Sequence, residues 1–366
     1  MKLLILTQKI DQNDDLLGFM HGWVREFAGQ CEQVTVICLG AGDYNLPGNV
    51  KVLSLGKGKL SPFGRSSVGG EIIKKLRYTF NFFRYIWSER RQYDYVFVHM
   101  NCEYVLLGGF LWRIWNKKII LWYAHFLIDW RIKLAAFLSH RVVTSTSFAC
   151  QLESAKLTVV GQGIDTEYFR NLNGALCENE TKILFLGRIS PVKDLETLIR
   201  TVGFVRQQRG GVHLNIVGAP TGTDEKYFHD MKKLVEELGL VQAVKFLGKV
   251  SNRETLDFYN KNDIFVNLTR TGSFDKTTLE AMACERPVLV CNRAFYDIFP
   301  ADLADRLIFK EKDSEDLSKK INWLMNLSIQ ERQEIGRRLR EVIVKEHSLK
   351  RLVAKLLDIF RSLNLK

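Results

Sequence analysis

Two cations, Arg188 and Lys193, stand either side of Ser190 and Pro191 in LFLGRISPVKDLETLI, where a strand-like run ends at Gly187 and a helical pattern begins. Cations beside a helix start form a site for a pyrophosphate, because the N-terminus adds its positive end and unpaired N–H groups. By residue type alone, both could equally be solvated surface charges. A second stretch, TGSFDKTTLEAMACERP (271–287), runs from a loop into a helix predicted to begin near Thr277 with Glu280 in its first turn. Such a helix start could hold phosphate, and Glu280 could accept hydrogen bonds from ribose hydroxyls. Alone, Glu280 also reads as a carboxylate favoured by the helix dipole. Two further loops, IVGAPTG (216–222) and FLGKVSNRE (246–254), leave their strands through a glycine, so that backbone can approach a flat base; ordinary turns would look the same.

These loops need strands and helices to hold them. Short aliphatic runs, KLLILT, VTVICL, VKVLSL, YVFVHM, KIILWYA and RVVTST, alternate with helical patterns over the first 146 residues. After the turn-rich NLNGALCENETK (171–182) the alternation restarts with ILFLGR, VHLNIVGA, VKFLGKV, DIFVNLT, PVLVCN and RLIFK. This pattern predicts two doubly wound α/β domains, residues 1–170 and 171–348; a C-terminal helix at about 349–366 is expected to pack back on the first. Domains of this class bind ligands outside the carboxyl ends of their strands, where the four loops lie.

The composition narrows the classes. At 366 residues and 46% apolar, the chain has material for two cores. The start, MKLLILTQKIDQ, has too short an apolar run for a signal peptide, and 104–130 is broken by Arg113, Lys117 and Lys118, so neither export nor a membrane span is expected. Seven scattered cysteines without a C-x-x-C pair argue against a disulfide framework or a zinc site and for a reducing cytosol. The net charge is +12, with ten Lys or Arg against two Glu in residues 51–91 alone. Nucleic-acid binding would be the reading of charge only, since no recognised module accompanies it.

Together these stretches resemble the retaining glycosyltransferases of family 4, which have the GT-B fold of two Rossmann-like domains facing across a cleft. The resemblance covers nearly the whole chain and is strongest over 181–290. There GRISPVKDLETLI, IVGAP, FLGKVS, YNKNDIFVNLT and LEAMACERPVLV follow in the family's order and spacing. VVGQGIDTEYF (159–169) is similar to the segment that closes the family's N-terminal domain. The resemblance implies that Arg188 and Lys193 grip the donor diphosphate beside Gly187, that Glu280 holds the nucleotide ribose, and that the loops around Gly218 and Val250 frame the base. Ser273, Phe274, Asp275, Lys276, Thr277 and Thr278 fall in its donor-binding loop and helix start. YVFVHMN and LWYAHF resemble the family's two histidine-bearing strand ends, which places His99 and His125 at the cleft, with His125 against the donor sugar. Gly18 lies in the first strand-to-helix loop, which approaches the diphosphate or acceptor.

The chain departs from the family at Gly272, where a glutamate usually stands eight positions before the one matched by Glu280 and contacts the sugar. Asp275 and Lys276 replace a glycine and an apolar residue, and one of them could take over sugar recognition; Glu285 stands where a glycine usually follows Cys284. The resemblance implies a hexosyltransferase moving sugar from a nucleotide diphosphate to a cell-surface glycan or lipid-linked acceptor, in polysaccharide or glycolipid biosynthesis. No cofactor or metal is expected, since no D-x-D triplet is present. Alternatives are a related phosphorylase or epimerase, and a nucleotide-sugar-binding scaffold that has lost transfer. In 51–91 the periodicity predicts Ile72, Leu76, Phe80, Phe83 and Trp87 toward the core, with Lys74, Lys75, Arg77 and Arg84 outside and Phe82, Tyr78 and Tyr85 among them. Such a basic face would bind an anionic membrane surface, placing a cytoplasmic protein at the inner face of the cell membrane.

Overall fold

The computed structural model describes residues 1–58, 68–172, 180–271 and 275–364. The chain divides into two units, Met1–Gly163 with Leu349–Lys366, and Ile164–Ser348. In the first, β1 (Lys2–Ile10), α1 (Phe19–Gln30), β2 (Gln33–Ala41), β3 (Val50–Ser54), α2 (Val68–Ser88), β4 (Tyr95–His99) and α3 (Cys102–Ile114) are followed by β5 (Lys118–Trp122), α4 (Trp130–Leu138), β6 (Arg141–Thr144) and β7 (Leu157–Val159). The strands pair in parallel in the order β3-β2-β1-β4-β5-β6-β7, so the winding reverses between β1 and β4.

Strand alternation sends Leu3 and Ile5 to one face of this sheet and Leu4 and Leu6 to the other. Trp23, Val24 and Phe27 of α1 cover the first face, together with the C-terminal helix Leu349–Ser362, whose Leu352, Val353, Leu356 and Phe360 recur at helical spacing. Each such side chain taken from water contributes roughly 1.5–3 kcal/mol. Helices α2, α3 and α4 cover the second face.

The orientation of α2 differs from the expectation. Phe82 and Ile86 are buried and Tyr78 and Tyr85 are half-buried against the core, whereas Ile72, Leu76, Phe80, Phe83 and Trp87 are exposed. Both faces of this helix are apolar, so periodicity alone could not choose between them. Polar anchors decide: Arg77 donates to the Gly56 carbonyl, Asn81 to Leu55 and Tyr85 to Ser54, which turns their side of the helix toward the end of β3.

The second unit runs β8 (Thr181–Leu186), α5 (Leu195–Arg209), β9 (Val212–Val217), α6 (Glu225–Glu237), β10 (Val244–Gly248), α7 (Thr255–Asn260), β11 (Ile264–Asn267), α8 (Lys276–Ala283) and β12 (Val288–Val290), then α9 (Ala301–Leu307), α10 (Ser314–Asn326) and α11 (Ile329–Val342). Its parallel order is β10-β9-β8-β11-β12, with the reversal between β8 and β11. Of RLIFK, read as a strand, Arg306 and Leu307 instead end α9, whose Leu303, Ala304 and Leu307 are buried at helical spacing, and the strand-like part is reduced to a bridge from Ile308 to Val290, with Phe309 N–H donating to the Val290 carbonyl. Residues 164–170, read with the first domain, pack in the second: Ile164 N–H donates to the His347 carbonyl, and Phe169 joins the second core.

Candidate functional site

Three glycine-bearing loops are knitted together at the carboxyl edge of the second sheet. Gly187 N–H donates to Val217 O at 3.0 Å, Ile189 N–H to Ala219 O at 3.1 Å, and Gly218 N–H to Gly248 O at 2.7 Å, so the loops after β8, β9 and β10 form one backbone row. At Gly218, φ is +143° and a Cβ would lie 1.9 Å from the Gly187 carbonyl oxygen, which only glycine tolerates. Val250, half-buried, follows β10 and packs on the core of this unit.

The charged groups come from either side of the strand-order reversal. Arg188, after β8, is exposed and makes no hydrogen bond or ion pair to another described residue. Lys193 closes a short 3-10 turn (Pro191–Lys193); its Nζ donates to Thr269 Oγ1 at 2.8 Å and pairs with the Asp275 carboxylate. Asp275 Oδ2 also accepts from Asn267 Nδ2 at 3.0 Å and from Thr269 Oγ1. Burial pushes the Asp275 carboxyl up, but the Lys193 charge and the hydrogen bonds from Asn267 and Thr269 outweigh it and hold the group below its ordinary range. Asp275 thus fixes Lys193 here, and Lys193 meets the site already paired.

Helix α8 begins at Lys276, so Glu280 lies in its second turn rather than its first. Glu280 is 3% exposed and accepts from Tyr259 Oη at 2.9 Å and Asn252 Nδ2 at 3.2 Å. Burial pushes its carboxyl up, against the hydrogen bonds of Tyr259 and Asn252 and the Lys276 charge. Burial likewise pushes the Lys276 ammonium well below its ordinary value, with Glu280 pulling the other way. Ser190, Thr277 and Thr278 carry buried hydroxyls with no hydrogen-bond partner among the described residues. Gly272, Ser273 and Phe274 lie outside the described residues.

Sequence reasoning missed Asn252, Tyr259, Asn267 and Thr269. Asn267 and Thr269 had a signal: polar residues at the end of an otherwise apolar strand, both buried. Asn252 and Tyr259 gave none, because their role depends on where Glu280 sits.

In the first unit, Gly18 immediately precedes α1. His125, half-buried after β5, accepts from Leu127 N–H through Nδ1 at 3.1 Å and stacks on Phe126; the acceptor Nδ1 leaves the ring proton on Nε2. His99 is buried and its ring contacts Phe19, Trp23 and Trp122.

The family model "Glycosyl transferases group 1" matches residues 167–342, the segment holding Arg188, Lys193, Gly218 and Glu280. Residues 167–342 belong to the group 1 glycosyltransferases. The chain is similar to the D-inositol 3-phosphate glycosyltransferase of Streptomyces avermitilis, 27% identical over 164 residues that span 42% of this chain and 35% of that protein. The chain thus covers about a third of that relative's length. Among solved structures, sucrose-phosphate synthase from Thermosynechococcus elongatus superposes with a TM-score of 0.78 at 14% identity, covering 100% of both chains. Anabaena HepE in complex with UDP and glucose gives 0.75 at 16% identity, covering 99% of this chain and 100% of that one. The group 1 segment therefore sits in a chain of the GT-B fold class, two parallel-sheet α/β units.

Proposed function

We propose that this protein is a retaining hexosyltransferase of family 4, moving a sugar from a nucleotide diphosphate to a cell-surface glycan or lipid-linked acceptor at the inner face of the cell membrane. The observation that carries the reading is the carboxyl edge of the second sheet. A glycine-lined backbone row, the exposed Arg188, the start of α8 and the unpaired hydroxyls of Ser190, Thr277 and Thr278 together suit an anionic, polar ligand. Arg188 meets the diphosphate, and Lys193, oriented by Asp275, adds a second charge-assisted contact. Glu280 receives the ribose hydroxyls or, through Asn252, shapes the loop that frames the base. Asp275 acts as a positioning residue rather than a sugar contact, which leaves Lys276 as the candidate at the sugar.

In this mechanism the bond from the anomeric carbon to the diphosphate oxygen breaks as the acceptor oxygen bonds to the same face. The acceptor proton passes to the departing diphosphate, so no protein base or metal is required, and rate comes from positioning and from charge stabilisation by the cations. Thermal unfolding in a panel of nucleotide sugars tests the reading: the true donor at 100 times its dissociation constant adds about 2.7 kcal/mol. A second reading, a nucleotide-sugar-binding protein without transfer, is favoured by Gly272 and by the prior pairing of Lys193 with Asp275. Donor stabilisation without consumption of the donor would select it.

A further inference from the structure

Three neighbouring helices of the first unit carry apolar side chains outward at helical spacing. On α2 these are Ile72, Leu76, Phe80, Phe83 and Trp87; on α3, Leu107, Phe110 and Ile114; on α4, Trp130, Leu134 and Phe137. Phe80, Phe110 and Phe137 are 67%, 67% and 71% exposed, so none helps to close a core. The helices lie side by side. Phe82 of α2 packs on Tyr104 and Trp112 of α3, and Arg113 of α3 donates to the carbonyls of Phe137 and Leu138 on α4. Their inner faces, with Phe82, Ile86, Trp112, Ile132 and Ala135, already cover the sheet. An outer apolar surface of this extent marks a contact with something else.

Charge says what that is. Across α2, α3 and α4, seven Lys or Arg stand against two Glu, and Lys74, Lys75, Arg84 and Lys133 are exposed beside the apolar stripes. A second copy related by a two-fold axis would set this basic surface against itself. An anionic bilayer supplies both an apolar boundary and negative headgroups. No helix among the described residues is long and apolar enough to cross a membrane.

We propose that the outer face of α2, α3 and α4 docks the protein on an anionic lipid bilayer, its aromatic and aliphatic side chains entering the headgroup boundary while Lys74, Lys75, Arg84 and Lys133 meet lipid phosphates. On α2 the inserting residues are those expected from periodicity to lie in the core. The surface belongs wholly to the first unit and does not depend on the donor reading.

Sedimentation of the full chain with vesicles of equimolar phosphatidylcholine and phosphatidylglycerol, and of phosphatidylcholine alone, tests it. The protein is expected to pellet with the mixed vesicles and less with the neutral ones. Phe80→Ser with Phe110→Ser and Phe137→Ser should weaken binding at least about tenfold, and Lys74→Glu with Lys75→Glu should weaken it at low salt. Both variants should keep the wild-type melting transition, since the altered side chains are exposed. Three results would overturn the proposal: protein that stays in the supernatant with mixed vesicles, a triple serine variant that binds as wild type, or a solution dimer that the triple variant dissolves. Sedimentation needs no sugar donor, so failure here leaves the nucleotide reading standing, and failure of donor binding leaves this one standing.

Discussion

At the carboxyl edge of the second sheet, the loops at Gly187, Gly218 and Gly248 are joined backbone to backbone, and of the cations above them Lys193 is paired with Asp275 while Arg188 is exposed. At the same edge of the first sheet, Lys9 lies near the end of β1, Asp11 follows β1 and Gly42 follows β2, with the Asp11 side chain against Gly42, and β4 ends in His99 packed among aromatics. The sheets share a parallel, doubly wound plan, so the difference lies in what each edge must admit. The second edge presents a backbone row, whereas the first is lined by side chains, Lys9 and Asp11 beside Gly42, around a cavity of about 540 Å³. The first edge can therefore absorb substitutions by moving a side chain, whereas the second has only backbone to move.

Gly218→Ala tests this difference most severely. Its Cβ would meet the fixed Gly187 carbonyl, which combines overpacking at roughly 1–3 kcal/mol with positive-φ strain at roughly 1–2 kcal/mol. We expect a loss of about 3 kcal/mol or more in chemical unfolding, with nucleotide binding abolished. A variant with wild-type stability would mean that the row is pliable and that backbone packing does not define the edge.

Lys193→Ala comes next. It strands the Asp275 carboxylate, whose pair is only 16% and 21% exposed, at a cost of roughly 3 kcal/mol, the low end for breaking a buried pair. Adding Asp275→Asn should recover most of that stability without restoring nucleotide affinity, because the amide needs no counter-charge while the ligand still lacks its cation. Recovery of both would show that Lys193 has only a structural role. Because Asp275 is held below its ordinary range, the pair's contribution is present above the unfolded carboxyl value of about 3.9 and is lost as pH falls through the lower folded value. Wild type and the double variant should therefore converge in stability under acid, as read by urea midpoints across pH.

The glycines and cations of the second edge were legible in the sequence because each is a local event: Gly at a strand end, Arg188 and Lys193 beside a helix start. Their partners were not. Asp275 and Lys276 both stood as candidates for sugar recognition, because nothing local shows that Thr269 and Asn267, at and just after the end of β11, join Asp275 to Lys193. The parallel strand pattern gave the fold class, but the outward turn of α2 depended on hydrogen bonds from Arg77, Asn81 and Tyr85 to a strand end, which apolar spacing does not encode.

Glu280→Gln should have a smaller effect on stability. Tyr259 and Asn252 lose a carboxyl acceptor but keep an amide oxygen, a cost of about 1 kcal/mol, and turnover falls by about tenfold if ribose hydroxyls also lose it. Here the sign with pH is opposite to that of Asp275. A carboxyl raised in the folded state takes a proton more readily folded than unfolded, so its contribution is fully present below the unfolded value of about 4.3 and fades as pH rises through the folded one. The gap between wild type and Glu280→Gln should therefore narrow as pH rises, and a gap that widens would place the ionised carboxylate, not its protonated form, as the favoured folded state.

The smallest effect belongs to Gly42→Ala at the first edge. A Cβ there would lie 2.2 Å from Asp11 Oδ2, closer than any tolerated contact, yet the obstacle is the end of a side chain. Asp11 can rotate away, giving up Lys9 at 3.0 Å and the Asn13 N–H, while Lys9 keeps Asp14 at 2.6 Å and Asp14 keeps the N–H groups of Leu16 and Leu17. Lys9 is 38% exposed, so the surrendered pair is worth no more than about 1 kcal/mol, and nucleotide affinity should not change. Melting curves of Gly42→Ala and Gly218→Ala, measured side by side, give the difference between a side-chain obstacle and a backbone one. Equal losses would mean that both edges are rigid alike, and that the backbone row of the second sheet is not what sets its loops apart.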